Sequence, residues 1–350
     1  MKNSHSWDRI IIFRQGQFGD TLVGFPLIEG LHRLFPCIPI TYCTNAFRSK
    51  NIVMGKEVAA LSPYVDKVAT YYVEDPVTVK WFELKKQLSA KKSDLLLYLP
   101  YGQATPWQIA RDWLFFKSIG FHQLYGFREA WQWANSWLKM TPPLPKETDR
   151  LLKIARDAGL PVTPPSRCAL QLDEKWAEQK WREWNLKERP VLAVCPGSKM
   201  QSKRWPIRRY IELGQQWRRK TGAALLIVGG PEEEGIASQI LKEWAGYGFS
   251  GCGATLSQTA AILSRARAYC GNDTGSMHLA AIQGIPCVAI FSSQQPAGTW
   301  FPFGESHVIL RNEIPCSNCM FENCYADPPE CLQMTSVQKV LAALKAVWQN

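Results

Sequence analysis

The sequence predicts an α/β protein made of two Rossmann-like, doubly wound parallel sheets. Three observations point there. Short apolar runs alternate with longer amphipathic stretches, the pattern of right-handed crossovers that return each strand to one sheet. The alternation pauses at two Pro-rich links, Thr141–Pro145 and Pro161–Pro165, and then begins again. At 350 residues and 46% hydrophobic content, the chain has the length and apolar material for two domains. Their boundary is expected between the links, giving domains of residues 1–160 and 161–335.

In the first half, strands are expected at Ile10–Phe13, Ile38–Tyr42, Lys67–Tyr72, Leu95–Leu99 and Gln123–Gly126. Helices are expected near Thr21–Leu34, Asn45–Leu61, Val79–Lys91 and Trp107–Ile119, with another at Asp149–Ala158. The second half repeats the pattern with strands at Val191–Cys195, Ala223–Val228, Ala266–Cys270 and Cys287–Phe291. Helices near Ile207–Thr221, Glu232–Ala245, Leu256–Ser264 and Thr274–Gln283 separate them, and Ser336–Trp348 reads as one amphipathic helix. In doubly wound sheets ligands collect at the carboxyl ends of the strands, so four loops carry the chemistry.

The first, Arg14–Asp20, holds Gly16 and Gly19 between a strand and a helix. It is not GxGxxG, which argues against a dinucleotide. Asp20 fits either a helix N-cap or a general base. In the second, Pro196–Pro206, Ser198, Lys199 and Lys203 offer hydroxyl and ammonium donors suited to phosphate oxygens, although a solvated basic loop has the same composition. The third, Gly229–Glu234, presents carboxylates that either accept from ribose hydroxyls or favour a helix N-terminus. The fourth, Asn272–His278, is a strand, a tight Asp/Gly turn and a helix start. Unpaired N–H groups and the helix dipole make such an end an anion site. His278, one turn in, points back toward that turn.

Net charge is +11, with 41 Lys and Arg against 30 Asp and Glu, which favours an anionic partner. No RRM, zinc-finger or helix-turn-helix pattern is present, which weighs against nucleic acid. The Trp-rich segment Arg128–Lys139 reads as a helix packed on the sheet, with a membrane surface or acceptor cleft as the alternative. The polar N-terminus and the lack of a spanning apolar run give a cytoplasmic expectation. Of eleven cysteines, Cys316, Cys319, Cys324 and Cys331 cluster. In a cytoplasmic chain this spacing argues against disulfides and admits structural zinc or an iron–sulfur cluster, with reduced packing thiols as the simpler reading.

The ordered series GQFGDTLVGFP, PGSKMQSKRWP, VGGPEEE and GNDTGSMHLAA, followed by the cysteine cluster, resembles the ADP-heptose:lipopolysaccharide heptosyltransferases of glycosyltransferase family 9. The resemblance implies a GT-B architecture, with two Rossmann-like domains facing a cleft, an acceptor-binding first domain and a nucleotide-sugar-binding second one. The last helix, 336–350, would pack back on the first domain. It also implies inverting transfer of heptose from an ADP-sugar to an anionic glycolipid acceptor at the cytoplasmic face of the membrane. Asp20 would be the base. Ser198, Lys199, Lys203, Glu232, Asp273, Thr274, Gly275 and His278 would hold the donor, with Glu232 on the nucleoside. Arg14, Gly19, Lys50, Arg111 and Arg128 are the acceptor-side candidates. No DxD-like pair occurs in these loops, so no catalytic metal is expected. Transfer from another nucleotide sugar, or to a protein or other glycan, is the nearest alternative. A non-catalytic nucleotide-sugar-binding scaffold is the alternative from another class.

Overall fold

The computed structural model describes residues 7–48, 53–136, 140–187 and 189–349. It divides into two compact units: residues up to Thr141 with Glu147–Gln171, and Pro142–Lys146 with Leu172 onward. The links therefore do not mark one clean crossing. The chain enters the second unit at Pro142 and returns for one helix before leaving the first unit at Gln171.

The first unit runs β1 (Ile10–Phe13), α1 (Phe18–Leu22), α2 (Phe25–Leu34), β2 (Ile40–Ala46), α3 (Gly55–Ala59), β3 (Lys67–Tyr72), α4 (Val77–Leu88), β4 (Leu95–Tyr98), α5 (Pro106–Ser118), β5 (Gln123–Tyr125), α6 (Phe127–Ser136) and α7 (Glu147–Asp157). Its parallel sheet has the order β3-β2-β1-β4-β5. β1 is central and wholly buried, as its unbroken Ile-Ile-Ile-Phe run requires. The single helix expected over Thr21–Leu34 is two, because Pro26 lacks an N–H and opens a new helix. The helix expected over Asn45–Leu61 shrinks to α3, since β2 runs on through Ala46; residues 49–52, including Lys50, lie outside the described residues. So do Trp137–Lys139. Leu84, Leu88, Ile109, Phe116 and Phe127, from α4, α5 and α6, pack with Ile11, Phe13, Leu96 and Tyr98 in one core on a shared face of the sheet.

The second unit runs α8 (Glu174–Glu183), β6 (Val191–Cys195), a 3-10 turn at Gln201–Lys203, α9 (Ile207–Thr221), β7 (Ala224–Ile227), α10 (Glu234–Glu243), β8 (Gly248–Ser250), α11 (Leu256–Leu263), β9 (Ala268–Asn272), α12 (Gly275–Ile282), β10 (Cys287–Ile290), β11 (Val308–Leu310), α13 (Glu330–Gln333) and α14 (Val337–Trp348). Its parallel sheet has the order β11-β10-β9-β6-β7-β8. The edge strands β8 and β11 are three residues each, too short to print a period on the sequence. The last helix, expected against the first unit, belongs to the second. Val337, Val340, Leu341, Leu344 and Val347 form a stripe buried against β9, β10, β11 and α9, and Trp348 meets Trp217 edge-on at 5.3 Å. Both sheets are doubly wound, and each reverses its strand order beside its first strand, at β1/β4 and β6/β9. The loops leaving β1, β6 and β9 sit at these switch points.

Candidate functional site

In the first unit, Gly16 must be glycine: at φ +149° a Cβ there would lie 2.1 Å from the Cβ of Asp20. The Gly16 N–H donates to Asn45 Oδ1 (2.7 Å). Asp20 is the third residue of α1, and Oδ2 accepts from the Gln17 N–H at 2.9 Å, half of a capping box whose N-cap is Gln17. Asp20 also lines a pocket of about 520 Å³, with Gln15, Asn45, Tyr71, Trp81, Tyr101 and Arg111 among its walls. The Gln15 amide donates to the Tyr71 hydroxyl.

Of the acceptor-side candidates, Arg111 lines this pocket, while its guanidinium grips Asp112 Oδ1 at 2.7 Å. Burial pushes the Asp112 carboxyl up, against the pull of Arg111 and of Tyr98, whose hydroxyl donates to it at 2.9 Å. Arg14, by contrast, is 1% exposed. Its Nε donates to the Asp20 carbonyl (2.7 Å) and Nη2 pairs with Glu147 (3.1 Å), which Arg150 holds from the other side at 2.7 Å. Arg14 is thus a buried strut under the Asp20 turn and has no free face for an acceptor. Gly19 sits in the first turn of α1, outside the pocket walls, and Arg128 is exposed on α6, also outside them.

In the second unit three loops converge. The Lys203 Nζ meets Asp273 Oδ2 at 2.6 Å, and Asp273 is 8% exposed. Behind them Asn272 is fully buried. Its amide donates to the carbonyls of Pro196 (2.8 Å) and Gly197 (3.1 Å), and its oxygen accepts from the Trp205 N–H (3.1 Å) and the Tyr210 hydroxyl (2.9 Å). One side chain therefore ties the turn after β9 to both ends of the loop after β6. Thr274 is the N-cap of α12, and Thr274 and Gly275 are half exposed at its N-terminus. His278 is 3% exposed. Burial above all, with Lys203 adding and Asp273 opposing, drops its imidazole to about 4, so it is neutral. Trp300 meets it edge-on at 6.2 Å.

Ser198 is buried beside this turn, and Lys199 is exposed. Glu232 is exposed as well; its neighbour Glu233 is the glutamate set against the loop after β6. Glu233 accepts from the Gly230 N–H at 2.7 Å, and a Cβ on Gly197 would lie 2.5 Å from its Oε1. Burial, then Glu232 beside it, raises the Glu233 carboxyl. The run of three glutamates does not show which of them faces that loop. Gln294, Gln295, Trp300 and Arg311 flank the Lys203–Asp273 pair, and nothing in their sequence spacing marks them. Asn272 carried a signal, being the residue before Asp273 in the turn.

Cys331 is buried on α13 with its sulfur accepting from the Ser293 N–H (3.5 Å), whereas Cys324 is half-buried in a loop fixed by the Gln201 side chain. Among the described residues no three His, Cys, Asp or Glu side chains converge as a metal site.

Comparison with known proteins agrees with this layout. The profile of glycosyltransferase family 9 (heptosyltransferase) matches residues 81–329. Lipopolysaccharide heptosyltransferase 2 of Escherichia coli is 28% identical over 153 residues, 42% of this chain and 43% of that protein. Lipooligosaccharide heptosyltransferase 2 of Haemophilus ducreyi is 33% identical over 131 residues, 35% of this chain and 37% of that protein. The alignments thus span less than half the length of these curated relatives. Over nearly the whole chain the fold matches a glycosyl transferase family 9 structure from Veillonella parvula (TM-score 0.73, 18% identity, 99% of each chain). It also matches E. coli ADP-heptose lps heptosyltransferase II (TM-score 0.69, 20% identity, 97% of this chain and 98% of that one). With the family profile spanning most of its length, from α4 to the cysteine loop, the chain belongs to glycosyltransferase family 9, the heptosyltransferase family.

Proposed function

We propose that the protein is an inverting glycosyltransferase that moves heptose from ADP-heptose to a hydroxyl of a lipopolysaccharide-core acceptor. The observation that carries this reading is the Lys203–Asp273 pair at the N-terminus of α12, braced by Asn272. A diphosphate leaving group needs a cation and N–H dipoles where its charge develops, and this corner supplies both. The ADP-heptose donor follows the family and the sequence resemblance.

In the proposed reaction Asp20 accepts the proton of the acceptor hydroxyl as its oxygen attacks the anomeric carbon. The bond from that carbon to the diphosphate oxygen breaks on the opposite face, ADP departs and the configuration inverts. Lys203 and the Thr274–Gly275 end of α12 take the diphosphate. Ser198 and Lys199 border it, and the neutral His278 offers a hydrogen bond to the donor. Glu233 replaces Glu232 as the nucleoside contact, because its carboxylate is the one set against Gly197.

A neutral glycan acceptor is the second reading. Of the pocket's two described cations, Arg111 is held by Asp112 and Lys80 donates to the Val73 carbonyl at 2.5 Å, while Phe13, Tyr71, Trp81 and Phe115 supply apolar faces.

Calorimetric titration with ADP, UDP, GDP, CDP and TDP tests the donor. Clear preference for ADP is expected, and preference for another base would move the donor while keeping the family. Turnover of ADP-heptose with core oligosaccharides, followed by the anomeric configuration of the product, then tests acceptor and stereochemistry.

A further inference from the structure

We infer that the outer faces of α4 and α5 form a docking surface for an anionic lipid bilayer, rimming the pocket that holds Asp20. The inference rests on the reading above only in supplying a reason for it, namely an acceptor carried on lipid.

Both helices cover the same face of the first sheet, turning Leu84 and Leu88, and Ile109 and Phe116, inward. Helical spacing then sends Phe82 and Lys86 outward on α4, and Trp107, Arg111 and Leu114 outward on α5. Phe82 is 66% exposed, Trp107 76% and Leu114 60%. Large apolar side chains this open, on adjacent helices, have no use within the fold. The two helices meet through Trp81, stacked on Phe115 at 5.1 Å, and both contribute pocket walls: Trp81 and Lys80 from α4, Arg111 and Phe115 from α5. The same two helices thus carry the exposed apolar side chains and part of the pocket wall.

Charge selects the occupant. α4 carries Lys80, Lys85 and Lys86 against one acid, Glu83. α5 carries Arg111 and Lys117 against Asp112, which Arg111 already holds. Lys117 stands over the Trp113 ring at 5.9 Å. Aromatic rings interleaved with lysines suit the headgroup layer of a bilayer, where rings enter the acyl boundary and ammonium groups meet lipid phosphates. A protein interface would instead be depleted in lysine at its centre.

Flotation of the full chain with lipid vesicles tests this without reference to transfer activity. Binding is expected to phosphatidylcholine vesicles containing about a third phosphatidylglycerol, weaker by at least about tenfold on phosphatidylcholine alone, and reduced by salt. The triple variant F82S/W107S/L114S and the charge reversal K85E/K86E should each lower binding at least about tenfold. The substituted side chains are solvent-exposed, so the unfolding midpoint should stay at the wild-type value. Absence of binding by the wild-type chain, or binding indifferent to both variants, overturns the inference. So does a wild-type dimer that F82S/W107S/L114S converts to monomer, which would make the surface a contact between copies.

Discussion

Lys203 Nζ and Asp273 Oδ2 stand 2.6 Å apart, one from the loop after β6 and the other from the turn after β9. The pair holds the lysine at the N-terminus of α12. In the proposed reaction, a diphosphate arriving there would compete with Asp273 for the ammonium.

Removing the lysine should therefore weaken ADP in two ways, through the lost contact and through the exposed Asp273 charge. Lys203→Ala is expected to raise the ADP dissociation constant at least about tenfold by calorimetry. The double variant K203A/D273N should recover part of that loss. Equal affinity in wild type and Lys203→Ala would take the lysine out of the donor site.

Asp20→Asn keeps an oxygen acceptor for the Gln17 N–H, so the turn should survive. Transfer is expected to fall by about 10² to 10⁴, while ADP affinity stays within a few-fold. Near-normal turnover would leave Asp20 with its capping role alone.

His278 titrates at about 4 in the folded protein, because burial disfavours its charged form. The unfolded chain takes up that proton near 6.5. Its contribution is therefore complete above pH 6.5 and is lost as pH falls toward 4, with a total of about 3 kcal/mol. Urea unfolding across this range should show a shallower acid slope for His278→Gln than for wild type. Parallel slopes would contradict a buried neutral imidazole.

Glu147 is 2% exposed between Arg14 and Arg150. Burial pushes its carboxyl up, but Arg150 and Arg14 outweigh that and hold it below its ordinary range. Glu147→Gln leaves two buried guanidinium groups without their counter-charge and should cost about 3–5 kcal/mol in denaturant unfolding. Since Arg14 also supports the Asp20 carbonyl, transfer should drop with it at temperatures where the variant is still folded. A loss below about 1 kcal/mol would mean that solvent reaches the trio.

Legible from the sequence alone were the two doubly wound sheets, the buried strands β1 and β6 and the edge strand β3 to the residue, and the turns that hold Asp20, Lys203 and Asp273. Those features are local: a buried parallel strand needs a continuous apolar run, and a tight turn into a helix needs its Gly, Asp or Thr at fixed positions. Tertiary structure decided the rest. It buried Arg14 against Glu147, a partner 133 residues away in sequence. It set Glu233 rather than Glu232 against Gly197 and made Asn272 the brace between two loops. It also placed α14 in the second unit, because an amphipathic stripe records that a helix has a buried face but not which sheet will cover it. Each of these depends on contacts between segments far apart in the chain, which no local spacing encodes.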